Sequence, residues 1–247
     1  MVIPITDRLP TRRRPWVNWM LIAVNLVVFV FFAPWAGGAC AQQEFFLTYS
    51  TIPAELAQGE PLDAREVAET TRGRCNLQPI DDKPVYASIV TALFLHAGWA
   101  HLLGNMLYLW IFGNNIEDRF GHLGYLGFYL LSGIIATTVF VLPNLASTAT
   151  LVGASGAIAG VLGSYLVLFP RQPVVVLVPF LFFIPLPVPA IVVLGLWFLL
   201  QLEGVQVASM AGGGVAYLAH VAGFLAGMGL TVLLGLHRRR PRPRQYR

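Results

Sequence analysis

The sequence predicts an all-α integral membrane protein with six membrane-spanning helices. Hydrophobic residues make up 56% of the chain, charged residues only 11%, and the mean hydropathy is +0.67. A soluble domain carries about 25% charged residues. A soluble chain of the present composition would expose large apolar patches, so a soluble enzyme, a disordered protein and a nucleic-acid-binding module are all disfavoured.

The first apolar segment, Trp16–Trp35, has about the 20 residues that a helix needs to cross a bilayer, and a tryptophan stands at each end as an interfacial anchor. A cleavable signal peptide is the alternative. The run is long for such a peptide, and Pro34-Trp35 is a poor cleavage site. We therefore expect an uncleaved helix after a basic tail, residues 1–15.

A long polar connection, residues 38–84, follows the first span. A short helix around Pro61–Glu69 is expected there, because proline is tolerated at a first helical position and acidic residues suit a first turn. The two cysteines of the chain, Cys40 and Cys75, both fall in this connection. They form a disulfide if it faces an oxidising compartment, or they remain two thiols; the sequence leaves both open.

The other spans follow from the remaining apolar runs. The run from Val85 to Ile116 is too long for one straight span. We interpret it as a membrane-associated segment, about 85–97, and a second spanning helix, about 99–116, which ends at the polar residues 117–121. The further spans are Leu123–Leu142, Gly153–Phe169, a fifth from about Pro187 after an interfacial re-entry within Val174–Leu202, and Val215–Leu236.

Six spans place both termini on the same side of the membrane. Both termini are rich in arginine, which predicts that they are cytoplasmic and that the connection 38–84 is external. The predicted organisation is therefore a tail (1–15), a membrane domain (16–236) and a second basic tail (237–247). We attribute the arginines to topology and expect no nucleic-acid partner.

Polar side chains inside the spans are few, and such residues are usually functional. No carboxylate lies deep in any span, which weakens the hypothesis of a proton-coupled transporter; the proline-broken stretch before span five is its best support. Four side chains on three different spans are predicted to lie within about 10 Å of the outer membrane face. They are His101, Asn105, Ser155 and His220.

Ser155 and His220 form a candidate nucleophile and base. Ser155 lies in Gly153-Ala154-Ser155-Gly156, where the glycines permit a tight turn and a close approach. Spans four and six both carry small residues at helical spacing, which lets helices pack closely and bring the two side chains together. The alternative is that each serves packing only. The small residues are Gly156, Gly160 and Gly163 on span four, and Gly223 and Gly227 on span six.

His101 and Asn105 are four residues apart and so share a helix face. Both can donate hydrogen bonds, and with the backbone N–H of Ser155 they are candidates for an oxyanion hole. The alternative is a polar pair that holds two helices together.

These motifs resemble those of the rhomboid intramembrane serine proteases. They are His96…His101-Leu-Leu-Gly-Asn105, Glu117-Asp118-Arg119-Phe120-Gly121, Gly153-Ala154-Ser155-Gly156 and Ala219-His220-Val-Ala-Gly223-Phe-Leu-Ala-Gly227. Each motif alone is weak, but the four occur in the right order on the right spans. The resemblance covers about residues 85–236 closely and the first span by position.

The resemblance implies a six-helix bundle with a cavity open to the external side. Ser155 would be the nucleophile and His220 the general base and acid, while His101, Asn105, Gly153 and Gly156 would stabilise the oxyanion and substrate. No metal or cofactor is expected. The implied partners are single-pass transmembrane proteins, cut where their helix unwinds near the outer face, and membrane lipid. The implied location is the plasma (inner) membrane.

Two departures from the family pattern stand out. Where many rhomboids carry a Trp-Arg pair, this chain reads Val85-Tyr86-Ala87-Ser88, and where some relatives stack an aromatic residue on the histidine, it has Ala159. Two alternatives to an active protease remain: a catalytically silent rhomboid-like protein that binds or chaperones membrane proteins, and a small transporter or channel.

Overall fold

The structure, a computed structural model, describes residues 3–178, 184–211 and 216–236. Within these ranges the chain is mostly helical, with one small three-stranded sheet. The helices are α1 (Trp16–Val27), α2 (Gly38–Tyr49), α3 (Pro53–Gln58), α4 (Ala64–Thr71), α5 (Ser88–Thr91), α6 (Trp99–Tyr108), α7 (Asn114–Phe120), α8 (His122–Val141), α9 (Ser155–Leu168), α10 (Ala190–Ala211) and α11 (Tyr217–Leu233). The strands are β1 (Ile3–Asp7), β2 (Pro173–Val178) and β3 (Ile184–Pro189). The predicted tail 237–247 and the predicted start of span six at Val215 lie outside the described residues.

Three stretches in the described ranges are long and apolar enough to cross a membrane: Trp16–Tyr49, His122–Asn144 and Ala190–Val207. The pair Val85–Phe94 and Trp99–Phe120 passes the same test together, and its parts are bent by 79° at the predicted break. Helices α9 and α11 are also apolar, but their 14 and 17 residues fall short of the usual spanning length. Length and composition thus indicate an integral membrane protein with three or four spans, and the count of six stays a prediction.

Helix α9 lies at the centre of the bundle, and every residue in 156–165 is buried. Helices α8 and α11 pack against it, because glycine removes the side chains that would keep the backbones apart. A Cβ at Gly227 of α11 would overlap the backbone of Gly160, and a Cβ at Gly160 would lie 2.5 Å from the Cβ of Ser132 on α8. The close approach predicted from the glycine spacing is present.

Residues 38–84 fold into a small helical unit rather than an open connection; we call it the external unit after its predicted side of the membrane. Helices α2, α3 and α4 pack around an apolar cluster that includes Leu47, Ile52 and Val67. Cys40 and Cys75, whose pairing the sequence left open, form a disulfide. A compact unit therefore stands before the segment that enters the membrane again.

The predicted short helix is present in this unit as α4, but it begins later than expected. Asp63 accepts a hydrogen bond from the backbone N–H of Glu66, and Glu66 accepts one from the N–H of Asp63. This reciprocal capping box fixes the first turn after Asp63, so Pro61 precedes the helix instead of opening it.

An ion pair is buried inside the external unit. The Nζ of Lys83 lies 2.6 Å from Glu55 Oε2, with side-chain exposures of only 1% and 3%, and it donates to the carbonyl of Leu47. Burial lowers the pKa of Lys83, and the neighbouring carboxylate opposes that change. Loss of either side chain would therefore leave the other as an unpaired buried charge.

The interfacial re-entry predicted before span five is not helical in the described residues. Strands β2 and β3 form an antiparallel hairpin, and β1 adds to it in the order β1-β2-β3. Prolines at alternate positions, 185, 187 and 189, cannot continue a helix but are tolerated in an edge strand. Pro187 therefore lies in β3, and the helix in the region of the predicted fifth span, α10, begins at Ala190.

The strand β1 forms within the predicted basic tail and is tied to the bundle by Asp7. Its Oδ2 accepts hydrogen bonds from Asn115 Nδ2 at 2.6 Å and from the hydroxyl of Tyr165 at 2.7 Å. Burial raises the pKa of Asp7 to about 6, against the lowering effect of the Tyr165 hydrogen bond. The amino-terminal segment is thus part of the fold and not a free tail.

The polar motif 117–121 joins helices as well as ending one. Helix α7 continues to Phe120, and Gly121 is its C-cap, so the predicted end of span two at about residue 116 is too early. The buried carboxylate of Glu117 accepts the backbone N–H groups of Val17 and Asn18 at the start of α1. Because the first N–H groups of a helix have no partner within it, Glu117 caps α1 from a distant part of the chain.

Candidate active site

Three helix starts bring the predicted site residues together. Ser155 is the first residue of α9, because the helix begins two residues after the predicted start at Gly153. His220 is the fourth residue of α11. His101 and Asn105 lie in the first two turns of α6. The four side chains thus come from three different helices.

The Ser155 hydroxyl and the His220 imidazole are in direct contact. Ser155 Oγ lies 2.8 Å from His220 Nε2, which is hydrogen-bond distance. Both side chains are part-buried. This geometry allows the imidazole to accept the hydroxyl proton, provided that Nε2 carries no proton of its own.

His101 closes one side of the site against the loop that precedes Ser155. Gly153 has φ +124°, and a Cβ there would lie 2.9 Å from the ring of His101 and 3.6 Å from Ser155 Oγ. Glycine is therefore required at this position, because other residues rarely adopt this positive φ and because a side chain would collide with the His101 ring. The backbone N–H of Ala97 donates to His101 Nδ1 at 3.4 Å, which leaves Nε2 to carry the ring proton.

Asn105 is 8% exposed, and its side-chain Nδ2 has no hydrogen-bond partner among the described residues. A buried amide donor without a partner is costly, so such a group usually serves a ligand or a reacting atom. Gly156 instead packs on α8, where a Cβ would lie 2.8 Å from the Cβ of Ala136. Its predicted part in stabilising substrate stays a prediction.

His96 lies next to this group. Its ring centroid is 5.0 Å from that of His101, it is 2% exposed, and neither ring nitrogen has a partner in the described part of the chain. Among the residues that the structure describes, no group of three or more His, Cys, Asp or Glu side chains could hold a metal ion, at this site or any other.

The sequence analysis missed Gln201 on α10. Its Oε1 lies 2.8 Å from His220 Nδ1, on the far side of the ring from Ser155. We predicted the site from polar groups on spans two, four and six, and Gln201 lies on the predicted fifth span. The signal was present, because Gln201 is the first polar side chain after the apolar run 190–200.

Two rings flank His220, while Ala159 offers only a methyl group and is fully buried. The centroid of Trp197 lies 6.2 Å from that of the imidazole, and the centroid of Tyr217 lies 6.3 Å away with its ring edge-on. Ala159 has no ring to stack on the imidazole. Trp197 on α10 and Tyr217 at the start of α11 flank it instead.

The external unit supports the loop before Ser155. Thr51 and Leu151 exchange two backbone hydrogen bonds, at 3.2 and 2.8 Å, and the N–H of Ala54 donates to the carbonyl of Ser147. At the other end of this loop, the N–H of Gly153 donates to the carbonyl of Ala92. The segment that presents Ser155 is therefore held from both sides.

Comparison with known proteins matches the Rhomboid domain to residues 83–237, which contain all the site residues above. The chain belongs to the rhomboid family. This family consists generally of intramembrane serine proteases.

Curated relatives come from plants, yeast and bacteria. The chain is 41% identical over 91 residues to Rhomboid-like protein 11, chloroplastic, of Arabidopsis thaliana, covering 36% of this chain and 31% of the relative. It is 34% identical over 149 residues to Rhomboid protein 1, mitochondrial, of Saccharomyces cerevisiae (57% and 40%). It is 42% identical over 81 residues to Rhomboid protease GluP of Bacillus subtilis (32% and 15%). The alignments thus span less than half of each of these relatives, two of which are named as chloroplastic and mitochondrial proteins.

Proposed function

We propose that this rhomboid family member is an intramembrane serine endopeptidase that cuts transmembrane helices near the outer membrane face. The observation that carries the proposal is the 2.8 Å contact between Ser155 Oγ and His220 Nε2. Family membership and a relative named as a protease support it.

In the proposed mechanism, Ser155 attacks the scissile carbonyl carbon while His220 Nε2 takes the hydroxyl proton. The tetrahedral intermediate collapses when the same imidazole gives that proton to the leaving amine. Water then hydrolyses the acyl-enzyme by the same route, with His220 again as base and then acid. The dyad itself contains no carboxylate.

The negative charge on the carbonyl oxygen needs donors. Three donors are available. They are Asn105 Nδ2, which has no partner among the described residues, His101 Nε2, and the backbone N–H of Ser155 at the first position of α9. Donors held in place before the reaction stabilise a developing oxyanion without having to reorganise. Gly153 contributes by leaving room for His101.

We further propose six spans, with α9 and α11 crossing as shorter helices inside the bundle and both termini cytoplasmic. The external unit and the site then open to the outside of the plasma (inner) membrane. The substrates would be single-pass transmembrane proteins. An intact helix engages its carbonyls in backbone hydrogen bonds, so the substrate helix must unwind locally before attack.

The test is cleavage of a panel of single-pass transmembrane proteins by purified protein in liposomes. We expect cleavage by the wild type and by Ser147→Ala, a matched serine change outside the site, and none by Ser155→Ala or His220→Ala. Folding of all four is checked by thermal unfolding. Cleavage that survives Ser155→Ala contradicts the proposal. A folded wild type that cuts nothing and reacts with no serine-directed probe favours the silent binding or chaperone hypothesis.

A further inference from the structure

Gln201 extends the hydrogen-bond chain that begins at Ser155. His220 Nε2 meets Ser155 Oγ at 2.8 Å, and His220 Nδ1 meets Gln201 Oε1 at 2.8 Å. The third residue comes from α10, a different helix from those that carry the other two. Residues 190–200 of α10 are all apolar or glycine, so this amide is an isolated polar group directed at the imidazole.

The direction of these hydrogen bonds follows from the amide. Gln201 Nε2 donates to the carbonyl of Trp197 at 3.4 Å, one turn earlier in the same helix. The amide oxygen is thereby left to face His220, and an oxygen can only accept. His220 Nδ1 must then carry the ring proton, which leaves a lone pair on Nε2 toward Ser155.

The ring is also confined in rotation. Trp197 lies on one side of His220 and Tyr217 meets it edge-on. Trp197 and Gln201 share one face of α10 because they are four residues apart. One helix thus supplies both a hydrogen-bond acceptor and an aromatic wall for the imidazole.

We infer that Gln201 is a positioning residue that holds His220 in the tautomer and orientation required to accept the Ser155 proton, so that the site works as a Ser-His-Gln triad. The inference rests on the proposed protease function. The amide is neutral, so it orients the imidazole without supplying a charge to it. It does not touch the reacting atoms in this arrangement, so its removal should affect turnover and not substrate binding.

The test compares two substitutions at one position. Gln201→Met keeps the length of the side chain and removes the acceptor, whereas Gln201→Glu restores an acceptor oxygen. For Gln201→Met we expect kcat to fall about 10- to 100-fold, by analogy with the loss seen when the hydrogen-bond partner of a metal-bound histidine is removed, with KM unchanged. The rate of Ser155 labelling by a fluorophosphonate should fall in parallel, and Gln201→Glu should recover most of both.

The matched control is Leu199→Met, which places the same new side chain at an exposed position of the same helix and should behave as the wild type. Full activity in Gln201→Met overturns the inference, and so does an equal loss in Gln201→Met and Gln201→Glu, which would mean a packing role. These outcomes require a wild type whose cleavage depends on Ser155. A wild type without such cleavage refutes the proposed function instead, so the two failures are distinguishable.

Discussion

Ser155 Oγ and His220 Nε2 lie 2.8 Å apart although 65 residues separate them in the chain. The contact depends on how closely α9 and α11 pack. The glycines at the crossing leave no side chain between the two backbones, and each helix carries one of the two groups at its start. The hydrogen bond between Ser155 and His220 therefore requires the close packing of α9 and α11.

Replacing Gly227 by alanine should disturb this helix pair. The added Cβ would overlap the backbone of Gly160, which cannot move aside as a flexible side chain can. We expect a loss of about 1–3 kcal/mol in the free energy of unfolding, the usual cost of overpacking, and slower labelling of Ser155. Gly229→Ala on the same helix is the control, because its Cβ would meet no described atom within 4 Å. Equal stability of the two variants would contradict the packing argument.

Replacing Asn105 by alanine should lower kcat by about 10²–10³, the typical effect of losing one oxyanion donor. The reason is that its buried Nδ2 has no hydrogen-bond partner in the described part of the chain and can therefore donate to a developing negative charge. Asn105→Leu, which is closer in size, should lose as much, because donation and not volume matters. Steady-state kinetics on one transmembrane substrate would measure both. An Asn105→Leu variant with wild-type kcat would refute the assignment.

Lys83→Met should destabilise the external unit by about 3–5 kcal/mol, since it leaves the buried carboxylate of Glu55 without its partner. The double variant Lys83→Met with Glu55→Gln removes both charges and should recover much of that loss. Hydrogen exchange of the amides in α2 and α4 would report the stability of this unit. If the amides of α2 and α4 exchange no faster in Lys83→Met than in the double variant, the prediction is wrong.

Asp7 should make stability depend on pH. Its pKa is about 6 in the fold, above the ordinary value of 3.8, so the folded state binds the proton more tightly than the unfolded state. The stability it contributes is complete below about pH 4 and is lost as pH rises through about 6. The unfolding midpoint of the wild type should therefore fall over this window relative to that of Asp7→Asn. Parallel curves for the two proteins would show that Asp7 does not titrate as described.

The sequence predicted most helices because their signals are local. Apolar runs, prolines and glycines mark where α1, α6 and α8 begin or end, and the glycine spacing predicted the α9–α11 packing. The hairpin of β2 and β3 was missed because its valines and prolines were interpreted as part of a membrane segment. Its pairing with β1 joins residues about 170 positions apart, and no local pattern indicates such a partner.

The candidate site was predicted residue by residue, but its supports were not. Ser155, His220, His101 and Asn105 could be chosen because polar groups are conspicuous in apolar helices. Gln201 belongs to the same class and was missed because it lies on the predicted fifth span, whereas the site was sought on the second, fourth and sixth spans. The capping of α1 by Glu117 requires a contact between residues 99 positions apart, and only the folded chain reveals it.

The most direct test of the central claim is to locate the residue that a fluorophosphonate modifies in liposomes, by mass spectrometry of the labelled protein. We expect one adduct on Ser155, absent from Ser155→Ala and formed much more slowly in His220→Ala. An adduct on another serine, or one that persists in Ser155→Ala, would contradict the claim that Ser155 is the nucleophile.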